Sequence, residues 1–168
     1  RQRRRPRLRV AVPADGVRVL TSREALEPRP APPKSIVIIG AGAIGVEFAY
    51  FYNSMGTKIT MVEFMPRLVP VEDEDISKEL EKQFKKQGMT IMTSAEVTSV
   101  DISGAGVKAK VKTASGEETL EADILLSAVG VVANIENMGL EALGIKTDKG
   151  KISVDVNQQT NIPGIYAI

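Results

Sequence analysis

The chain has 168 residues, enough for a domain with its own core, and its 22 Lys and Arg against 21 Asp and Glu give a formal charge of +1. It contains no cysteine and no histidine, which excludes a disulfide staple, a thiolate nucleophile, a dithiol redox centre and the commonest general base and metal ligand. No apolar run approaches the ~20 residues of a membrane span and no signal peptide is visible, so the chain reads as soluble and cytoplasmic.

Charge is unevenly spread. Residues 1–9 hold six arginines and no acid, which leaves sixteen basic residues against 21 acidic ones in the remainder. No aromatic or amphipathic pattern accompanies these arginines, so they read as a disordered terminal tail and not as a nucleic-acid or membrane-binding arm. Val10 to Leu20 has little periodicity and reads as irregular or as a short strand. Thr21 to Leu26 reads as a short helix with Ser22 as its N-cap. Pro28, Pro30, Pro32 and Pro33 break any helix and mark a linker, placing the start of a domain near Pro33.

Ile36 to Ile39 is an unbroken apolar, β-branched run, the pattern of a strand buried on both faces. Gly40, Gly42 and Gly45 follow it at Gly-x-Gly-x-x-Gly spacing. The first glycine permits a sharp turn out of the strand, the second lets backbone approach a pyrophosphate, and the third lets the next helix lie close on the sheet. That helix would direct unpaired N–H groups at the phosphates. An ordinary βαβ unit whose glycines serve only packing is the competing reading. Ile44, Phe48, Phe51, Tyr52 and Met55 fall at helical spacings, and Gly56 ends the helix. Lys58 to Glu63 reads as a second strand with an acid at its carboxyl end. A carboxylate there accepts ribose hydroxyls and repels a 2′-phosphate, so the site is expected to prefer NAD over NADP. Arg67 reads as a solvated loop charge and receives no role.

Val71 to Asp75 is expected to open the next helix, with Ile76, Leu80 and Phe84 as its buried stripe. Acids crowd its first turn and Lys82, Lys85 and Lys86 its last, which suits the helix dipole. The acidic cluster therefore reads as capping, and no metal site is assigned. Met89 to Met92 is a third strand. Residues 96–101, 106–113 and 117–120 then alternate in short segments separated by turn signals, the pattern of a β-meander. Ala122 to Gly130 returns to a continuous apolar strand ending in glycine. The expected fold class is α/β, a Rossmann-like βαβ parallel sheet with an antiparallel β-meander as a crossover.

Gly40-Ala-Gly-Ala-Ile-Gly-Val-Glu47, Met61-Val-Glu63, Thr93-Ser-Ala-Glu-Val97, Leu125-Leu-Ser-Ala-Val-Gly130 and Thr160-Asn-Ile-Pro-Gly-Ile-Tyr-Ala-Ile168 together resemble the flavoprotein disulfide reductases, and among them those that oxidise dihydrolipoamide. The resemblance runs from about Ala14 to the C-terminus and is dense from Pro33. It implies an NAD-binding domain at 33–150, with 1–32 a basic tail and linker left from an FAD domain and 151–168 a segment returning toward that domain. It also implies that the complete enzyme passes electrons from dihydrolipoamide through a disulfide and FAD to NAD+, as a homodimer serving a lipoyl-bearing complex. Position by position, it assigns the pyrophosphate to Gly40, Gly42, Ala43, Ile44 and Gly45, the adenosine ribose to Glu63, the adenine pocket to Val97 and the nicotinamide end to Gly130. Glu47 matches a family carboxylate near the nicotinamide and flavin rings.

Two departures stand out. Ala43 occupies a position where some relatives carry an aromatic gate, and Val131-Val-Ala-Asn134 replaces a common Arg-x-Pro-Asn. The family's cysteine pair, its FAD-binding glycine turn and its His-Glu acid/base pair are absent from these residues. The chain is accordingly expected to bind NAD and to contribute no catalytic residue, the other half of the redox chemistry belonging to the rest of a parent chain. The alternatives are the NAD domain of another disulfide reductase, a non-catalytic nucleotide-sensing module, and FAD in the glycine turn instead of NAD.

Overall fold

The computed structural model describes residues 4–6, 14–28 and 30–168. Among the described residues fifteen elements follow in chain order. The first are β1 (Arg4–Pro6), β2 (Val19–Thr21), α1 (Ser22–Ala25), β3 (Ser35–Ile39), α2 (Ala43–Ser54), β4 (Lys58–Val62), α3 (Glu74–Lys86) and β5 (Thr90–Met92). Then come β6 (Glu96–Asp101), β7 (Val107–Thr113), β8 (Gly116–Ala122), β9 (Ile124–Ser127), β10 (Val131–Ala133), β11 (Thr147–Asp148) and β12 (Lys151–Ile152). The chain divides into a larger unit, Pro6–Gly130, and a smaller one that joins Val131–Ile168 to the N-terminal strand.

In the larger unit, β2-β9-β3-β4-β5 form a five-stranded sheet in which every pair is parallel, and β6-β7-β8 form a separate antiparallel sheet. The continuous apolar strands are explained by what covers each face. Side chains alternate along a strand, so Ile36 and Ile38 point into a cluster with Phe48, Ala49, Tyr52 and Phe84 on the helix side. Val37 and Ile39 point the other way, into a cluster with Val107, Ala109 and Val111 of β7. The meander thus covers the face that a crossover helix would otherwise cover. In β7 only alternate residues are buried, because its other face meets solvent.

The elements agree with the sequence pattern in type, but several details differ. The N-cap of α1 is Thr21, not Ser22: its hydroxyl accepts the Arg23 N–H while Glu24 takes the Thr21 N–H, a capping box. In α2 the buried face is Gly45, Phe48, Ala49 and Tyr52, and Phe51 and Met55 are exposed. Counting only large side chains misplaces this stripe, because glycine and alanine form the contact that brings the helix onto the sheet. Helix α3 begins at Glu74 with Asp73 as N-cap, later than Val71. Its inner face is Ser77, Leu80 and Phe84, and Ile76 is 59% exposed. Ser77 tolerates burial because its hydroxyl donates to the Asp73 carbonyl at 3.2 Å.

The N-terminal stretch that read as irregular or as a short strand supplies a short edge strand, β2. Asp15 accepts the N–H groups of Val17, Arg18 and Val19 and so sets the entry into it, and Arg18 reaches the carbonyls of Ile102 and Gly104 in the meander. The arginine-rich tail lies outside the described residues except for the backbone of β1, which pairs with β10. In the smaller unit β11 and β12 form a hairpin whose turn residues, Lys149 and Gly150, both have positive φ. Asn161 braces that unit by accepting the Lys146 N–H and donating to the Gly144 carbonyl.

Candidate nucleotide-binding cleft

Strand β3 pairs with β4 on one side and β9 on the other, and the chain leaves β3 for β4. This is a topological switch point, where a crevice opens beyond the carboxyl ends of parallel strands. A cleft of about 660 Å³ lies there, wholly within the larger unit. It is lined by Gly40, Gly42, Ala43 and Ile44 after β3, by Glu63 and Phe64 after β4, by Ala95 to Val97 before and in β6, and by Ala128 to Gly130 after β9. Seven of the nine residues singled out from the sequence therefore share one cleft; Gly45 and Glu47 do not line it.

The three glycines have different physical reasons. Gly40 has φ +95°, and a Cβ on it would lie 2.6 Å from the Ala128 carbonyl oxygen; a Cβ on Gly45 would lie 2.0 Å from the Gly40 carbonyl oxygen. Both are required by backbone packing alone. Gly42 is different: it has φ −73°, and beyond its own chain neighbours no atom of the described residues lies within 4 Å of the place its Cβ would take. Neither folding geometry nor packing demands glycine there, and the space it leaves belongs to the cleft.

Gly42 is also the N-cap of α2 and has no side chain to cap it. Among the described residues no acceptor takes the N–H groups of Ala43, Ile44 or Gly45; the first bond of the turn runs from Val46 N–H to the Gly42 carbonyl at 3.1 Å. Unpaired N–H groups at a helix N-terminus carry a partial positive charge and suit an anion.

Glu63 closes the site from the neighbouring strand. It is 8% exposed, and its carboxylate is held by two backbone donors, Ala41 N–H to Oε2 at 2.6 Å and Met65 N–H to Oε1 at 2.7 Å. Each carboxylate oxygen keeps a further lone pair for another donor. Its backbone is fixed as well, by Glu63 N–H to Met92 O at 2.8 Å and Ala95 N–H to Glu63 O at 3.0 Å. Gly130 has φ +107° and nothing within 4 Å of its Cβ position, so it too leaves open space at the far end of the cleft. Glu47 is exposed on α2.

Sequence reasoning passed over Phe64, Pro70 and Val71, which wall the cleft beyond Glu63. Phe64 is 57% and Val71 89% exposed. Large apolar residues following the acid in a loop were the available signal. Arg67 is not a free solvated charge: its Nη2 donates to the carbonyls of Pro70 and Glu72. Among the described residues no group of three or more His, Cys, Asp or Glu is placed to hold a metal ion, and no helix is long and apolar enough to cross a membrane.

A family model for pyridine nucleotide-disulphide oxidoreductases matches residues 5–168, and the chain belongs to that family. The match begins earlier than Ala14, so the family likeness reaches into the arginine-rich segment. Within the family the chain is homologous to dihydrolipoyl dehydrogenases. It is 49% identical over 165 residues to the enzyme of Rhizobium etli, covering 98% of this chain and 34% of that protein. It is 47% identical over 137 residues to that of Mycobacterium tuberculosis, covering 81% of this chain and 30% of the relative. In structure it resembles the crystal structure of LpdA from Mycobacterium tuberculosis with TM-score 0.85 and 34% identity, over 97% of this chain and 35% of that one. The flavoprotein disulfide reductase RclA of Escherichia coli follows at TM-score 0.81 and 26% identity, over 98% of this chain and 37% of that one. The chain thus spans about a third of the length of the relatives it matches.

Proposed function

We propose that the cleft binds NAD(H), with the pyrophosphate over the unpaired N–H groups of Ala43, Ile44 and Gly45 and the adenosine ribose on Glu63. One observation carries the reading: Gly42, which no packing or backbone constraint requires to be glycine, opens onto uncapped helix N–H groups beside a buried carboxylate with lone pairs to spare. The residues fit the group on both counts, anion and hydroxyl. Val97 lines the adenosine side and Gly130 the nicotinamide end. Glu47, exposed on α2, is assigned to the nicotinamide and flavin side by the family resemblance alone.

In this reading residues 33–150 form the NAD-binding domain, and 1–32 and 151–168 belong with the FAD domain of a longer parent chain. The likeness to dihydrolipoyl dehydrogenases supports a role in electron transfer from dihydrolipoamide through a disulfide and FAD to NAD+, in a cytoplasmic homodimer serving a lipoyl-bearing complex. When bound, NAD+ supplies a hydride acceptor; this chain's residues bind and orient it. Glu63 favours NAD over NADP because a 2′-phosphate beside a buried carboxylate meets like charge. Calorimetric titration with NADH and NADPH tests this: tighter NADH binding is expected, whereas equal or tighter NADPH binding refutes the role of Glu63. A flavin retained through purification by these residues would move the assignment to FAD.

A further inference from the structure

The loop Phe64–Glu72 carries the apolar wall of the cleft; bonds within it hold its shape, and one, from Val69, ties it to the glycine turn. Arg67 Nη2 donates to the carbonyl oxygens of Pro70 at 3.0 Å and Glu72 at 3.3 Å. Val69 N–H donates to the Ala41 carbonyl at 2.8 Å, while Glu72 N–H returns to the Val69 carbonyl at 2.9 Å. Ala41 N–H is held by Glu63. The residue between the first two glycines is therefore gripped by its N–H from one strand end and by its carbonyl from the loop.

Val69 makes its bond from an unusual backbone. Its φ is +38°, in the left-handed region that a β-branched residue adopts only when its surroundings impose it. Those surroundings are visible: its side chain and that of Leu68 are buried, and both its N–H and its carbonyl are engaged. Strain held beside a cleft, on a loop whose arginine bonds only to the backbone of that same loop among the described residues, points to order established before a ligand arrives.

We propose that Arg67 and Val69 are positioning residues: they form a clamp that fixes the glycine turn and the wall of Phe64, Pro70 and Val71 in the conformation that receives the adenosine diphosphate half of the nucleotide. This rests on the nucleotide reading of the cleft. The clamp touches no ligand. It acts by removing the ordering cost that a mobile loop would charge to binding.

The test uses Arg67→Ala in the full chain, with Arg67→Gln as a second variant that keeps part of the stem and a neutral amide donor group. Without any nucleotide, amide exchange at Ala41, Val69 and Glu72 is expected to quicken about tenfold while Ile38 and Leu126 keep their wild-type rates. ADP-ribose affinity is expected to fall about three- to tenfold, equally at low and high salt, with Arg67→Gln intermediate. A loss that vanishes at high salt would mean that Arg67 attracts phosphate directly, and would overturn the clamp. Unchanged exchange, or faster exchange with unchanged affinity, would overturn it too. If the wild-type chain does not bind ADP-ribose, the nucleotide reading fails, but the exchange measurement still decides whether the clamp exists.

Discussion

The parallel sheet and the meander of the larger unit are made of similar lengths of strand but play opposite parts. Strands β3 and β9 are buried along nearly their whole length, because helices cover one face and the meander the other. Strand β7 is buried at every second residue and β8 almost nowhere. The first sheet ends in the cleft: all but two of the sequence-derived site residues line it, from the turns beyond its carboxyl ends, the start of α2 and the first strand of the meander. The second is a lid for the core, and it reaches the cleft only through Glu96 and Val97. The cleft is thus built on the sheet whose central strands are buried on both faces.

The division of labour is open to direct attack. Ile38 and Val111 are both fully buried, one in the centre of the parallel sheet and one in the meander. Ile38→Ala is expected to cost about 2–5 kcal/mol in urea unfolding and Val111→Ala about 2 kcal/mol. Only the first should also weaken NADH binding; an equal loss of binding in Val111→Ala would show that the meander shapes the cleft.

A sharper contrast lies within the turn itself. Gly45→Ala forces a Cβ onto the Gly40 carbonyl, so it is expected to cost about 1–3 kcal/mol and to lose binding with it. Gly42→Ala meets no protein atom and should leave the unfolding midpoint within about 0.5 kcal/mol of wild type while weakening NADH binding at least about tenfold. Intact binding in Gly42→Ala would return all three glycines to a purely structural role.

The smallest effect concerns the edge of the parallel sheet. The Thr21 hydroxyl bonds to the Glu24 carboxylate and holds it below the usual glutamate range. A depressed carboxyl pKa contributes stability above the unfolded-state value, and that contribution is lost as pH falls through the folded one. Glu24→Gln should therefore differ from wild type by a fraction of a kcal/mol near neutrality, and the difference should shrink as pH falls through and below the usual glutamate range. A gap that persists in acid would deny the charged capping box.

Much of this was legible along the chain. Ile36 to Ile39 followed by Gly40, Gly42 and Gly45 announces strand, turn and helix, because each residue type answers a local steric or hydrogen-bonding demand. Glu63 at a strand end and the alternation of β7 are local signals of the same kind. What stayed hidden was non-local. The edge strand β2 has almost no pattern of its own and exists through pairing with β9, more than a hundred residues away. Ile76 and Ser77 exchange places relative to expectation because Ser77, not Ile76, shares the face that Leu80 and Phe84 turn to the core.

Local chemistry, then, determined the kinds of element, the position of the glycine turn and the acid that answers it. Tertiary structure alone decided which glycine is free of packing duty, that Arg67 binds carbonyl oxygens and not water alone, and that Val69 carries a left-handed backbone. The first and last of these depend on atoms brought together from separate parts of the chain, such as the Ala128 carbonyl against Gly40 and the Ala41 carbonyl against Val69. A linear pattern records what each residue prefers; which preference yields is settled only when the strands stand side by side.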